Sequence, residues 1–311
     1  MKNFTEHKID HDFSNTRIDR WFRQYFEGLS HNNLEKYLRK GFIRVNEKKI
    51  RSSYRLNKGD IIKTSVFINN FLSNDRKIKK IYGSEDFIKK NTLHIDNDLL
   101  VINKPFNLAV QGGTGIKRNL DDLLVSAFSG KKITPRLVHR LDKETSGVML
   151  IALNRKMASH LSNLFKTKNV QKTYWAITEG EPEKTTGEIN INITDDEKRQ
   201  RQKSLTKYNK VLKINDNISW IAFRPITGRT HQIRKHASMS NFPIVGDKKY
   251  GNKNNKIIKF NKLHLHSHSV DFKGLNGEIL HFEAPLPEHM METWIKYNLP
   301  LKLDNDCFIG D

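Results

Sequence analysis

The stretch Arg136 to Leu153, RLVHRLDKETSGVMLIAL, holds a polar, turn-forming centre between two apolar, strand-like runs. A loop anchored at both ends this way can be rigidly placed, and Asp142 lies on it with Arg140 two residues earlier. A fixed, ionised carboxylate can attack as a nucleophile or take a proton, on a substrate brought in from outside. The plainer alternative is that Asp, Thr, Ser and Gly are turn residues and Asp142 bonds only its own backbone. Judged on those few residues, the plainer alternative is favoured.

Two other constellations compete. His264, His266 and His268 alternate, so a strand would put all three on one face, where imidazoles can bind zinc. Side chains two apart on one strand diverge instead of closing a tetrahedron, so no metal site is expected. The run QGGTG, Gln111 to Gly115, is glycine-rich enough to cradle a phosphate but lacks the Lys-Ser/Thr ending of a nucleotide loop, and a turn is the better reading.

The elements that must position Asp142 come from patterning. Strand signals recur at Leu93–Ile95, Leu99–Ile102, Val148–Ala152, Tyr174–Ile177, Ile218–Phe223 and Leu263–His268, and helical periodicity at Leu120–Ala127, Lys156–Phe165 and His231–Ser238. A mixed sheet with helices, α+β, is expected over 93–298. The N-terminal part reads differently. Residues 1–13 are polar and expected to be loose. Thr16 and Asp19 form a capping signature before Ile18, Phe22, Tyr25 and Phe26 at helical spacing. A second helix runs from about Asn33 to Lys40, ended by Gly41 in a left-handed cap. Short strands follow at Phe42–Val45, Lys49–Ile50 and from Ile61. This helix, helix, strand unit is assigned to 14–67. The charge-dense segment 68–92, containing DRKIKKIYGSEDFIKK, reads as a linker with room for one short helix.

Composition limits the partner. In 311 residues, 55 Lys and Arg face 34 Asp and Glu, a formal charge of +21 that draws polyanions, nucleic acid or an acidic membrane. Biased codon usage would give a similar composition, so charge alone decides little. A single cysteine, Cys307, excludes an internal disulfide framework and fits a reducing compartment. The start, MKNFTEHKIDHDFSN, lacks an apolar signal core, and the longest apolar run, Val148–Leu153, is far too short to span a bilayer. A soluble, cytoplasmic protein is expected.

Two resemblances add to this. Leu34–Ile62, LEKYLRKGFIRVNEKKIRSSYRLNKGDII, resembles the small RNA-binding module first described in ribosomal protein S-four. That resemblance implies that Lys36, Arg39, Lys40 and Arg44, on the second helix and the hairpin after it, meet RNA phosphates; a merely solvated basic face is the alternative. His139, Arg140, Leu141, Asp142, Thr145, Ser146 and Gly147 resemble the signature of the RluA-type pseudouridine synthases position for position, seven fixed residues in nine. Asn103-Lys104-Pro105, Lys172-Thr173-Tyr174, Arg224-Pro225, Thr227 to Arg234, Pro243 to Asp247, Tyr250-Gly251 and Leu263 to His266 follow in the family's order. The first of these motifs departs from many members, reading KPFNLAVQGG without the usual glycine and with Gln111 near a common histidine.

The resemblance implies isomerisation of uridine to pseudouridine on an extruded nucleotide, with Asp142 catalytic and Arg140 helping to push the target out. It also implies Tyr174 against the base, with its hydroxyl receiving a ring proton, and Ile233 supporting the other side. Arg229 is the implied partner of Asp142, with Arg234 the competitor, and His139 is assigned to substrate binding. No cofactor, metal or guide RNA is expected, and the partner is large-subunit (23S-type) ribosomal RNA, met by a monomer. A non-catalytic RNA-binding protein and a base-releasing glycosylase are the rivals. Asp142, Tyr174 and Arg229 together argue against the first, and free uracil would reveal the second.

Overall fold

Successive residues of a strand face opposite ways, and this governs the larger part of the chain. In β5 (Leu99–Lys104), Leu100 and Ile102 join one apolar cluster while Leu99 and Val101 join another. β7 (Ser146–Ala152) is buried at every position, as is β13 (Ile218–Pro225). Strands covered on both faces read as continuous apolar runs, which is why these segments are conspicuous in sequence.

The computed structural model describes residues 4–9, 13–26, 29–71, 81–112, 115–131, 133–194, 200–252, 260–303 and 307–308. The chain divides into two compact units, 1–79 and 80–311. Part of the expected linker, and residues 113 and 114 of the glycine-rich run, lie outside the described residues.

The second unit opens with α3 (Ser84–Asn91) and β4 (Thr92–Ile95), followed by β5, α4 (Leu120–Ala127), β6 (Arg136–Leu137), β7 and α5 (Arg155–Lys166). Then come β8 (Val170–Glu179), the short β9 (Thr186–Ile189), β10 (Ile193–Thr194) and β11 (Arg201–Gln202), β12 (Thr206–Lys213) and β13. α6 (Gln232–Met239), β14 (Leu265–Lys273), β15 (Ile279–Glu283) and α7 (Glu288–Lys296) complete it. The main sheet runs β4-β5-β7-β14-β8-β13-β12-β9, with β14 parallel to β7 and antiparallel to β8. α3, α4 and α6 pack one face through Ile88, Leu120, Leu124, Ile233 and Ala237. α5 covers the other through Met157, Leu161 and Leu164, each contributing on the order of 2 kcal/mol by leaving water. α7 does the same beside Trp175 and Trp220 through Met290 and Trp294. Asn119 and Asn154 accept the Asp122 and Met157 amides, which fixes where α4 and α5 begin.

Residues 84–91, inside the expected linker, thus form a helix whose Ile88 belongs to this core. Its start is signalled by Gly83, in a left-handed conformation at φ 72°, and by the acidic first turn Glu85 and Asp86.

The first unit contains β1 (Phe4–Lys8), α1 (Ile18–Tyr25), α2 (His31–Lys40), β2 (Ile43–Val45) and β3 (Ile61–Ser65), then a 3-10 turn, Val66–Phe71. Its antiparallel sheet has the order β1-β3-β2 over a core of Trp21, Phe22, Phe26, Leu34, Leu38, Ile43 and Ile62. Residues 4–8 are therefore not loose: they are an edge strand on β3, with Glu6 paired to Lys63 and His7 set edge-on to Trp21. Thr16 does not cap α1; Arg17 holds that position and pairs with Asp19 at 2.6 Å. Ser30 caps α2 and Gly41 ends it at φ 74°. Lys49 and Ile50 form no strand. No helix among the described residues is long and apolar enough to cross a membrane.

Candidate active site

Asp142 follows Leu141, whose side chain is buried in the α4 and α6 core, and its carbonyl accepts the Thr145 amide in a tight turn into β7. Gly147, two residues after that turn, is at φ 112°, and a Cβ there would collide with the Ser267 backbone. Only glycine lets β14 lie this close, and Ser267 is also in register with Tyr174 on β8. Gly147, Ser267 and Tyr174 thus line up across three adjacent strands, which brings the Asp142 loop and the Tyr174 ring to one cavity. Its volume is about 900 Å³, and the segment 224–234 and Leu265 complete its wall.

The Asp142 side chain is 19% exposed, and three basic groups act on it. Lys104, at the end of β5, is fully buried and its ammonium donates to the carbonyls of Pro105, Leu108 and Lys143 at 2.9–3.2 Å. Burial, only partly opposed by the Asp142 charge, draws its pKa down to about 7. Three acceptors match the three donors of the charged form, which favours the ammonium. Lys104 thereby ties the loop residue next to Asp142 to the end of β5. His231 Nε2 faces Asp142 Oδ1 at 3.8 Å.

The third basic group is Arg234, on α6. It is buried, makes a two-point pair with Asp247 at 2.7 Å on each arm, and lies 3.5 Å from Glu144. Burial lowers its pKa, but Asp247, Asp142 and Glu144 outweigh that and raise it. Arg229 is different: it is exposed, and its Nε donates to the Lys203 carbonyl at 3.3 Å. Among the described contacts, the guanidinium in the field of Asp142 is Arg234, the competitor in the sequence reading, and Arg229 stands at the cavity mouth. α6 begins at Gln232, so Arg229 precedes the helix, while Arg234 is carried inward by its first turn.

Tyr174 is nearly buried, and that burial pushes its pKa up to about 12; the Ser267 hydroxyl opposes the rise and Asp142 adds to it. It is a neutral phenol at physiological pH. Ile233, 6% exposed, lines the same cavity. Arg140 is exposed on the wall. The Thr145 hydroxyl is buried against the cavity without a hydrogen-bond partner among the described residues. His139 has a structural engagement instead of an open one: its Nε2 accepts the Leu150 amide at 2.8 Å, its ring stacks on Phe165, and burial lowers its pKa to about 3. The three alternating histidines are engaged separately. His264 bonds Thr293, His266 bonds Ser146 and the Ala284 carbonyl, and His268 stacks on Trp175 at 3.5 Å. Lys36, Arg39 and Lys40 are exposed on α2, and Arg44 is half-buried with its Nε on the Gly41 carbonyl.

The sequence pattern described as RNA pseudouridylate synthase matches residues 98–239, a span that holds Asp142, Tyr174 and Arg234. Ribosomal large subunit pseudouridine synthase C of Rickettsia conorii is 36% identical over 288 residues, covering 88% of this chain and 94% of that protein. The protein of the same name in Haemophilus influenzae is 31% identical over 304 residues, covering 92% of each. The chain belongs to the RluA-type RNA pseudouridine synthase family. As an RNA pseudouridine synthase it is an isomerase. The solved structure of Human RNA Pseudouridylate Synthase Domain Containing 4 overlays this synthase with a TM-score of 0.61 and 30% identity, covering 72% of this chain and 99% of that one.

Several residues of the site escaped the sequence reading as individuals. Lys104 is visible as part of Asn103-Lys104-Pro105, and its place at the end of a strand whose first four residues are apolar is the signal that marks it as buried. His231 and Tyr250 were visible only as motif members. Phe308, which lines the cavity with the Arg224 guanidinium 4.2 Å from its ring centre, gave no local signal at all.

Proposed function

We propose that this chain converts selected uridines of large-subunit ribosomal RNA to pseudouridine, with Asp142 as the reacting carboxylate. The observation that carries the reading is a carboxylate at the wall of a cavity of about 900 Å³, held in the field of Lys104, Arg234 and His231 beside the Tyr174 ring. The names of the relatives support ribosomal RNA as substrate and the C-type specificity; the D type is the nearest alternative.

The chemistry explains the residue types. The bond from ribose to the ring nitrogen breaks, the base turns, and a bond to a ring carbon forms as that carbon loses its hydrogen. Nothing is oxidised and no group donor is consumed, so no cofactor is called for. Asp142 acts ionised, as nucleophile at the sugar or at the base, or by removing a sugar proton. Arg234 is the cation that keeps it charged, and Arg229, exposed at the mouth, serves as a phosphate contact. A phenol with a pKa of about 12 is a weak base, so Tyr174 accepts the ring proton only as its own hydroxyl proton leaves to solvent, while the nitrogen freed from the ribose takes a proton in exchange. Ile233 supports the base from the other side. Arg140 fills the gap left by the extruded nucleotide, whose unstacking costs about a few kcal/mol.

Residues 14–67 serve as an RNA-binding module of the S-four kind, supported by the exposed cations of α2. Residues 93–298 form the catalytic domain, extended at its start to include α3. The protein acts as a cytoplasmic monomer without guide RNA. The test is to incubate wild type and Asp142→Asn with unmodified ribosomal RNA and map pseudouridine by carbodiimide adducts. Stops with wild type alone support the reading and name the sites. Release of free uracil in place of stops favours the glycosylase rival, and tight binding without either favours the non-catalytic one.

A further inference from the structure

His231 has a backbone conformation that L side chains rarely adopt, φ 55°, immediately before α6. The strain is held where the ring makes one hydrogen bond and one longer, electrostatic approach: Nδ1 lies 3.0 Å from the Tyr250 hydroxyl, and Nε2 lies 3.8 Å from Asp142 Oδ1. Strained backbone that persists beside a reacting group points to a purpose for the side chain.

The tautomer follows from electrostatics. With the proton on Nδ1, the Nε2 lone pair would face the Asp142 carboxylate and repel it. With the proton on Nε2, the ring presents a donor to Asp142 while Nδ1 accepts from Tyr250. Burial lowers the His231 pKa, Asp142 raises it, and Arg234, Lys249 and Lys235 lower it further, so the neutral ring is favoured. Tyr250 is itself fixed. Asp247 accepts the Lys249 and Tyr250 amides at 2.9 and 3.0 Å with the same Oδ1 that binds Arg234, and the Arg234 guanidinium lies 5.3 Å from the Tyr250 ring centre. One turn therefore anchors Arg234 and, through Tyr250, His231, two of the three basic groups that act on Asp142.

We propose that Tyr250 and His231 are positioning residues that hold Asp142: the Tyr250 hydroxyl sets the imidazole tautomer, and the Nε2 proton orients the carboxylate toward the bound nucleotide. This rests on Asp142 being the reacting carboxylate. Misplacement of a reacting group by about 1 Å costs up to about a hundredfold in rate. Tyr250→Phe and His231→Leu therefore lower kcat about ten- to a hundredfold and leave KM for RNA unchanged.

The decisive pair is His231→Gln against His231→Asn. A glutamine amide nitrogen falls near the Nε2 position and restores part of kcat, whereas an asparagine amide falls near Nδ1 and does not. Asparagine tolerates the left-handed conformation better, so a purely structural role would rank the two variants the other way. Kinetics are read by release of tritium from 5-tritiated uridine in ribosomal RNA, and the tautomer by nitrogen-proton correlation spectra of the wild-type imidazoles. A proton on Nδ1 of His231, wild-type kcat in Tyr250→Phe, or asparagine rescuing better than glutamine overturns the proposal. Asp142→Asn, assayed alongside, separates the two failures: if it stays active the underlying reading falls, and if it is inactive while the relay variants are normal only the relay falls.

Discussion

The cavity of the second unit and the basic face of the first use charge in opposite ways. Around Asp142 each basic group has a defined partner: Lys104 has three carbonyls, Arg234 has Asp247 and Glu144, and the neutral His231 ring has Tyr250. On α2, Lys36, Arg39 and Lys40 stand exposed. Buried, paired charge fixes geometry and is costly to disturb, while exposed charge acts at a distance and is screened by salt. The proposed function gives chemistry to the first arrangement and capture of a polyanion to the second.

The comparison is broken most severely at Arg234. Arg234→Gln leaves the Asp247 carboxylate, 1% exposed, without its partner and lowers the stability of the second unit by about 3–5 kcal/mol in calorimetry, with loss of activity. Arg229→Gln, outside the buried network, leaves the melting curve in place and weakens only RNA binding. Equal effects of the two would remove the distinction drawn between them. Lys104→Met comes next: three carbonyls, that of Leu108 buried, lose their donor, about 3 kcal/mol is lost in denaturant titrations, and kcat falls as the Asp142 loop loosens.

Acid sharpens the contrast at smaller scale. His139, His264, His266 and His268 have pKa values lowered to about 3 or 4 by burial, below the ordinary 6.5. Between those values the unfolded chain binds more protons than the folded one, so stability is complete above pH 6.5 and is lost as pH falls toward 4 and below. Thermal melts from pH 7.5 to 4.5 report this as a transition of the second unit that moves down steeply. The smallest effect on stability is at the basic face: replacing Lys36, Arg39 and Lys40 together by Ala shifts stability within about 0.5 kcal/mol. Binding isotherms at several salt concentrations show log K falling less steeply with log salt, by up to about 3 in slope.

The sequence announces what is repeated or buried on a regular period. β5, β7 and β13 stand out because both of their faces are covered, and α4 emerges at Leu120–Ala127 because Asn119 caps an apolar run. β1 is hidden because its polar residues alternate on an edge and only its backbone pairing identifies it. β9, β10 and β11 are too short to show a period. At the site, the turn residues alone favour a backbone-bonding Asp142, and only the whole run His139 to Gly147 singles it out. The choice between Arg229 and Arg234 does not follow from spacing, because it depends on Asp247, thirteen residues beyond Arg234, folding back beneath α6. Phe308 reaches the cavity wall from the far end of the chain, by a contact no local pattern encodes.

The most direct test of the central claim is tritium release from 5-tritiated ribosomal RNA by wild type and by Asp142→Asn, a change of charge at nearly constant shape. The account predicts release by wild type, a loss of at least about 10⁴-fold in the variant, and RNA binding within a factor of about 2 of wild type. Release by Asp142→Asn at a rate near that of wild type would contradict it.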